Sequence, residues 1–167
     1  MKNQITLGVL SLLWAFSLPV LFAQTNDSIP RRIFFTQAVE GTSPTIDGVL
    51  DDTCWEQVEW SGGYEQFEPY NREAPSQDTK LKVLYDARSL YVAFRCYDTE
   101  PDRIERRMSR RDGFPGDWVE INIDSYHDLR TAFSFTISAS GVKGDEFVSN
   151  DGNSWDSNWN PIWFAKT

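Results

Sequence analysis

Apolar and polar side chains alternate with a period of two in two neighbouring segments, residues 80–85 and residues 90–96, which the polar connector 86–89 joins. One face of this pair would carry Leu81, Val83, Tyr85, Leu90, Val92 and Phe94. Strict alternation with β-branched and aromatic residues is typical of strands, and a short polar connector is typical of a hairpin. The pattern therefore predicts an antiparallel pair of strands.

Residues 117–124 form the most informative alternating segment of the chain. One face of this predicted strand is apolar, and the other carries Trp118, Glu120, Asn122 and Asp124. An aromatic ring beside hydrogen-bonding side chains suits a polar, ring-shaped ligand, because the ring covers the flat apolar side while the polar groups pair with hydroxyls. Trp118, Glu120 and Asn122 are therefore the first candidates for ligand contacts.

The segment 130–138 predicts another strand with two unlike faces. We expect the aromatic face to form the core, and it carries Phe133, Phe135 and Ile137. The opposite face is small and rich in hydroxyls, so Ser134 and Thr136 become candidate ligand contacts next to Trp118. Further strands are predicted over residues 32–37, 145–149 and 159–166, with a polar loop over 149–154.

Helical patterns are rare in this chain. Asp51 or Asp52 could cap a short helix that buries Trp55, and a second short helix is expected within the charged segment 99–116. Short strands separated by turn signals predict an all-β fold, an antiparallel β-sandwich with one or two short helices. Because the chain stops directly after a predicted strand, we expect the sandwich to be truncated at its C-terminus.

The beginning of the chain has the pattern of a secretory signal peptide, residues 1–23, with Lys2 ahead of an apolar run. The alternative is an uncleaved anchor, because the run approaches the roughly 18 residues that can span a bilayer. Residues 24–32 are expected to be a lead-in and residues 33–167 the sandwich. We therefore expect export, to a periplasmic, outer-membrane-associated or extracellular location.

Composition narrows the classes of partner. The chain has 167 residues, is 40% hydrophobic and carries a formal net charge of −9, which disfavours nucleic acids and anionic membranes as partners. Neutral saccharides are compatible with this charge. Cys54 and Cys96 could form one disulfide in an oxidising compartment, or serve as two small buried hydrophobic residues.

Three blocks of the chain together resemble the family 9 carbohydrate-binding modules. They are residues 44–55 (PTIDGVLDDTCW), residues 82–92 (KVLYDARSLYV) and residues 117–124 (DWVEINID). Their order and spacing are similar to the version found at the N-terminus of large exported bacterial proteins. The resemblance covers roughly residues 33–167 and implies a non-catalytic β-sandwich that binds oligo- or polysaccharide, linked to the breakdown or uptake of xylan-type polysaccharide. It also implies a following region of a longer chain, or an outer-membrane partner.

In that family two tryptophans clamp a terminal sugar. At the first of these positions this chain has Phe114, followed by Pro115, and the second would fall beyond Thr167. Phe114 is therefore a further candidate ligand contact. Trp155, beside Asp156, is the best candidate outside the central strands.

The resemblance implies structural calcium as well. Turn-forming loops supply carboxylate ligands for it at Asp47, Asp51 and Asp151. No loop has the spacing of an EF-hand, and turn formation explains these residues equally well. Calcium is thus the cofactor that the resemblance suggests.

Catalysis is not expected of this segment. Asp117 could pair with Glu120 or Asp124, but Asp117 and Glu120 point to opposite faces of the predicted strand. Two other classes remain open. A haem-binding redox sandwich would use Met108 and His127 as ligands, and a structural or interaction domain of a larger surface protein would bind no sugar.

Overall fold

The computed structural model describes residues 32–167, of which Phe34–Thr167 form one unit. The strands are β1 Thr79–Tyr85, β2 Leu90–Cys96, β3 Trp118–Ile123, β4 Ala132–Ser138, β5 Lys143–Ser149 and β6 Ser154–Asp156, and the 3-10 helices are Thr53–Gln57 and Pro101–Arg103. β1 and β2 form a two-stranded sheet, and the other strands form a four-stranded sheet in the order β3-β4-β5-β6. The pairings between these strands are all antiparallel. The predicted fold class, an all-β antiparallel sandwich with short helices, is confirmed.

The predicted signal peptide, residues 1–23, and the lead-in up to residue 31 lie outside the described residues. Between residues 32 and 167, no helix has the length and apolar character needed to cross a bilayer. The strand predicted over 32–37 is wrong, because pairing at this point is limited to one bridge between Ala38 and Tyr85. Phe35 is exposed, so a longer pairing here would bury little apolar area.

The best-buried apolar cluster lies on the two-stranded sheet. Leu84 of β1 and Ala93 of β2 pack with Cys54, Trp55 and Val58, which the first 3-10 helix and its end supply. The predicted burial of Trp55 is confirmed. This cluster packs the two-stranded sheet against the segment that contains the first 3-10 helix.

The predicted helix cap at Asp51 or Asp52 is confirmed in position only, at Asp52. Asp52 occupies the capping position, but its side chain makes no capping hydrogen bond. Its carboxylate instead accepts a hydrogen bond from the N–H of Thr45 at 3.2 Å, which closes the preceding loop. In the segment 99–116 the predicted helix is reduced to Pro101–Arg103.

Cys54 and Cys96 are both free thiols. Cys54 is buried and behaves as a small core residue, and burial is the largest cause of the raised pKa of its thiol. Cys96 is exposed, so the interpretation as a buried hydrophobic residue holds for Cys54 alone.

The C-terminal segment does not form the strand predicted over 159–166, since residues 157–167 have no regular structure. Its indoles lie against the apolar face of the four-stranded sheet, with ring centroids of Trp159 and Trp163 at 5.5 and 5.4 Å from that of Phe135. Lys143 of β5 also donates a hydrogen bond to the Trp163 carbonyl at 2.8 Å. Because the segment packs through side chains across a face, it adds no strand to an edge.

Burial on β4 is the reverse of the prediction. Ser134 and Thr136 are 0% and 3% exposed, whereas Phe133 and Phe135 on the opposite face are only half-buried. Ser134 lies between the longer side chains of Asn122 and Glu146. Thr136 lies between Glu120 and Gly144, where the Phe114 ring fills the space. The aromatic face has a thinner cover, from the irregular segment 157–167.

Candidate functional site

The hydrogen-bond register of the four-stranded sheet sets the composition of its faces. Trp118, Glu120 and Asn122 of β3 lie opposite Ser138, Thr136 and Ser134 of β4, and β5 adds Gly144 and Glu146 in register with Thr136 and Ser134. We call this side of the sheet the hydroxyl face. The predicted alternation along β3 is confirmed, and the sheet brings five of the predicted ligand contacts onto one surface.

The indole of Trp118 stands at one corner of the hydroxyl face. Trp118 is 49% exposed, so about half of its surface is open to solvent. Next to it, Glu120 accepts hydrogen bonds from the Thr136 hydroxyl at 3.1 Å and from the Asn122 amide at 2.5 Å. These bonds hold the Glu120 carboxylate and the Asn122 amide in fixed orientations. An exposed ring thus stands beside polar groups that are already oriented.

Ser134 and Thr136 form the floor of the hydroxyl face rather than its rim. The Thr136 hydroxyl is used by Glu120, as described above. The Ser134 hydroxyl is fully enclosed and has no hydrogen-bond partner among residues 32–167. A buried hydroxyl without a partner costs free energy, commonly about 1–3 kcal/mol, so it marks a position where a further polar atom would be stabilised.

Phe114 reaches the hydroxyl face from the loop before β3. The Cζ tip of its ring is directed at Gly144 of β5, where an added Cβ would stand 1.9 Å from Cζ. The ring centroid lies 6.1 Å from that of Trp118, with the planes tilted by 50°. Asp112 positions this loop along the edge of β5, because its N–H donates to the Lys143 carbonyl at 3.2 Å. Phe114, a candidate ligand contact from the resemblance, therefore lies close to Trp118.

Glu146 is a residue of this surface that sequence reasoning missed. It stands in register with Ser134 and is half-buried. Burial raises the pKa of its carboxyl, and the negative charges of Glu120 and Asp112 raise it further. The alternation along 143–149 would have placed Glu146 on one face of a strand, but only the pairing with β4 shows which face that is.

Trp155 lies on the hydroxyl face but far from Trp118. It belongs to β6, where it pairs with Val148 of β5, and it is 47% exposed. Its indole N–H donates a hydrogen bond to the Gly152 carbonyl at 2.9 Å. At standard strand spacings its Cα is about 25 Å from that of Trp118, diagonally across the sheet. The two indoles therefore stand at opposite corners and cannot enclose one sugar ring.

The residues predicted to bind calcium are not gathered into one site. Asp47 accepts a hydrogen bond from the Val49 N–H at 2.8 Å, which is turn formation, and Asp151 forms an ion pair with Arg130 at 2.8 Å. In the part of the chain from residue 32 onward, no group of three or more His, Cys, Asp or Glu residues is arranged to hold a metal ion. Calcium at Asp47, Asp51 and Asp151 stays a prediction.

The carboxylates considered for catalysis have structural partners. Asp117 accepts a hydrogen bond from the Glu105 N–H at 2.9 Å. Asp124 accepts the N–H groups of Asp128 and Leu129 at 3.1 and 2.8 Å, which closes the turn after β3. Both therefore fix loops at the two ends of β3.

The geometry described above agrees with a comparison against protein families. A model described as "carbohydrate family 9 binding domain-like" matches residues 46–158, which is more than half of the chain. Searches of curated proteins and of solved structures found no match. The matched range contains both sheets and the whole hydroxyl face. The chain belongs to the carbohydrate family 9 binding domain-like family.

Proposed function

We propose that this domain binds a β-linked polysaccharide on the hydroxyl face and catalyses no reaction itself. The observation that carries the proposal is the half-exposed indole of Trp118 beside the hydrogen-bonded pair Glu120 and Asn122. The family membership supports saccharides as the ligand class. Xylan and cellulose are the first glycans to test, and the domain would hold them for an exported protein that degrades or imports polysaccharide.

The expected affinity follows from the size of the platform. Covering one aromatic face with a sugar ring removes apolar area worth roughly 1–3 kcal/mol from water. Hydrogen bonds to Glu120 and Asn122 add about 0.5–1.5 kcal/mol each, more where the group is charged. After the cost of association, the sum corresponds to a dissociation constant on the order of millimolar for one ring. A polymer with many such rings would be retained more strongly than a single sugar.

Affinity electrophoresis tests the proposal directly. The full chain is run through gels that contain xylan, cellulose derivative or pectin, next to the variants Trp118→Ala and Tyr97→Ala. Tyr97 is also exposed, at 45%, but lies next to the two-stranded sheet and serves as the matched control. We expect at least one glycan to retard the wild type and Tyr97→Ala but not Trp118→Ala.

Two results would contradict the proposal. Equal retardation of wild type and Trp118→Ala would place binding elsewhere on the protein. Migration unaffected by any of the glycans would favour the structural or interaction domain that binds no sugar.

A further inference from the structure

Three oxygen-bearing side chains of neighbouring strands lie on the central part of the hydroxyl face. Glu120 belongs to β3, Ser134 to β4 and Glu146 to β5. Ser134 is in direct register with Glu146, and Glu120 pairs with Thr136, two residues further along β4. At standard spacings, the backbones of the two glutamates are about 12 Å apart, with Ser134 between them. Side chains of this length can lean towards each other over the serine.

The Ser134 hydroxyl is the independent sign of a ligand atom at this point. It is fully buried, and no group within residues 32–167 forms a hydrogen bond with it. Its neighbours in the sheet are Asn122 and Glu146. A polar atom that enters between these side chains would complete the hydrogen bonding of Ser134 and recover the cost of leaving it without a partner.

The charge at this position is negative and uncompensated. Glu120 and Asp112 both act on the Glu146 carboxyl and, after burial, raise its pKa. None of the ion pairs found from residue 32 onward reaches Glu120 or Glu146. The nearby Arg111 is paired with Asp145 and Asp112. Positive charge from a ligand would therefore relieve the repulsion between the two glutamates.

We propose that Glu120, Ser134 and Glu146 form a subsite for the ammonium group of an amino sugar, so that glucosamine-containing glycans bind more tightly than neutral glycans of the same backbone. An ammonium group has three hydrogen-bond donors and no acceptor, which matches three neighbouring side chains that each carry an oxygen acceptor. Its charge also favours the ionised form of both carboxylates. The inference rests on the proposed saccharide site and specifies its preferred substrate class.

The same arrangement disfavours N-acetylated and acidic sugars. An N-acetylated sugar carries a neutral amide in place of the ammonium group, so it offers neither the charge nor the three donors. Uronic acids would bring a third negative charge next to Glu120 and Glu146. We therefore expect the order of affinity glucosamine, then neutral sugar, then uronic acid on one type of β-linked backbone.

The test compares trisaccharides of glucosamine, N-acetylglucosamine and glucose with the same linkage, by calorimetric or NMR titration of the full chain. A pH of about 6.5 lies roughly two units above the ordinary glutamate pKa, which leaves room for the raised pKa of Glu146, and keeps much of the sugar amine protonated. We expect the glucosamine trisaccharide to bind about tenfold more tightly than the glucose trisaccharide, which corresponds to about 1.4 kcal/mol. At a pH of about 9 the amine is neutral and the preference should disappear.

Two variants separate the subsite from the general attraction of an acidic protein for cations. Glu146→Gln keeps the size of the side chain and should reduce the preference to about twofold or less. Glu65→Gln makes the same change on an exposed residue outside the four-stranded sheet and should leave the preference intact. An equal loss in both variants would overturn the inference, because the preference would then reflect net charge.

The affinities of the wild type for the trisaccharides test the ammonium subsite even if a variant fails to fold. Equal affinity for the glucosamine and glucose trisaccharides, with binding lost in Trp118→Ala, would overturn the ammonium subsite and leave the saccharide site standing. Failure of every trisaccharide and polysaccharide to bind would instead overturn the proposed function itself.

Discussion

Gly144 on β5 leaves room for the tip of the Phe114 ring, and Gly144→Ala tests that contact. The added Cβ would stand 1.9 Å from the ring's Cζ and 2.7 Å from its Cε2. Normal contact between carbon atoms requires about 3.5–4.0 Å, so the ring must move by roughly 2 Å. Such overpacking typically costs about 1–3 kcal/mol.

The free-energy cost of overpacking in Gly144→Ala should appear as a loss of thermal stability. For a domain of this size, 1 kcal/mol lowers the melting temperature by about 4 °C, so calorimetry should show a decrease of about 4–12 °C. Displacing the ring from its position 6.1 Å from Trp118 should also weaken the retardation on polysaccharide gels. Gly62→Ala is the control, because its Cβ would approach only the flexible Lys80 side chain closely, at 3.2 Å.

A double-mutant cycle tests whether the cost of Gly144→Ala comes from the Phe114 ring. In a Phe114→Ala background the steric conflict is gone, so Gly144→Ala should be neutral or stabilise by about 0.5 kcal/mol, as expected for replacing glycine in a strand. If Gly144→Ala costs the same with and without the Phe114 ring, the ring does not occupy the position described here.

Three further substitutions test other parts of the fold. Lys82→Met keeps the volume of a side chain that is 8% exposed but removes its hydrogen bond to the Trp55 carbonyl at 2.5 Å, and denaturant unfolding should show a loss of about 1–3 kcal/mol. Asp145→Ala leaves the guanidinium and indole partners of a carboxylate that is 1% exposed without their acceptor, and should cost about 3–5 kcal/mol in the same assay. Hydrogen bonding by Tyr91 is the largest cause that lowers the Asp86 pKa to about 2, so NMR titration of Tyr91→Phe should show a higher value.

The lowered pKa of Asp86 determines the pH range in which its carboxylate stabilises the fold. Because the folded-state pKa is lowered from 3.8 to about 2, the carboxylate stabilises the fold above about pH 4 and loses this contribution as the pH falls towards 2. Tyr91→Phe should therefore make acid unfolding less steep in this window. An unchanged Asp86 titration would contradict the assignment. For Lys82 and Asp145, stability within about 0.5 kcal/mol of wild type would contradict the burial and contacts described above.

Local alternation of apolar and polar residues was sufficient to predict most of the strands in the two sheets. The strands at β1, β2 and β3 follow from period-two patterns, and the register confirms that Trp118, Glu120 and Asn122 share a face. Alternation reports which side chains share a face but not which face is covered. The buried serines of β4 are enclosed by longer neighbours on β3 and β5, and that depends on pairings between distant parts of the chain.

The errors also have physical causes. Residues 157–167 have the composition of a strand, but their indoles pack across a face, which sequence periodicity cannot distinguish from edge pairing. Glu146 was missed because its importance comes from its position relative to Ser134 and Glu120. The Asp52 side chain was assigned to a cap, but a hydrogen bond from Thr45, seven residues earlier, competes for it.

An NMR titration of the indole N–H signals with a soluble β-linked oligosaccharide tests the central claim most directly. The hydroxyl face carries Trp118 and Trp155, whereas Trp159 and Trp163 lie on the opposite, aromatic face of the same sheet. We expect the Trp118 signal to shift on saturation while those of Trp159 and Trp163 stay in place. Shifts at Trp159 or Trp163, with Trp118 unchanged, would contradict a saccharide site on the hydroxyl face.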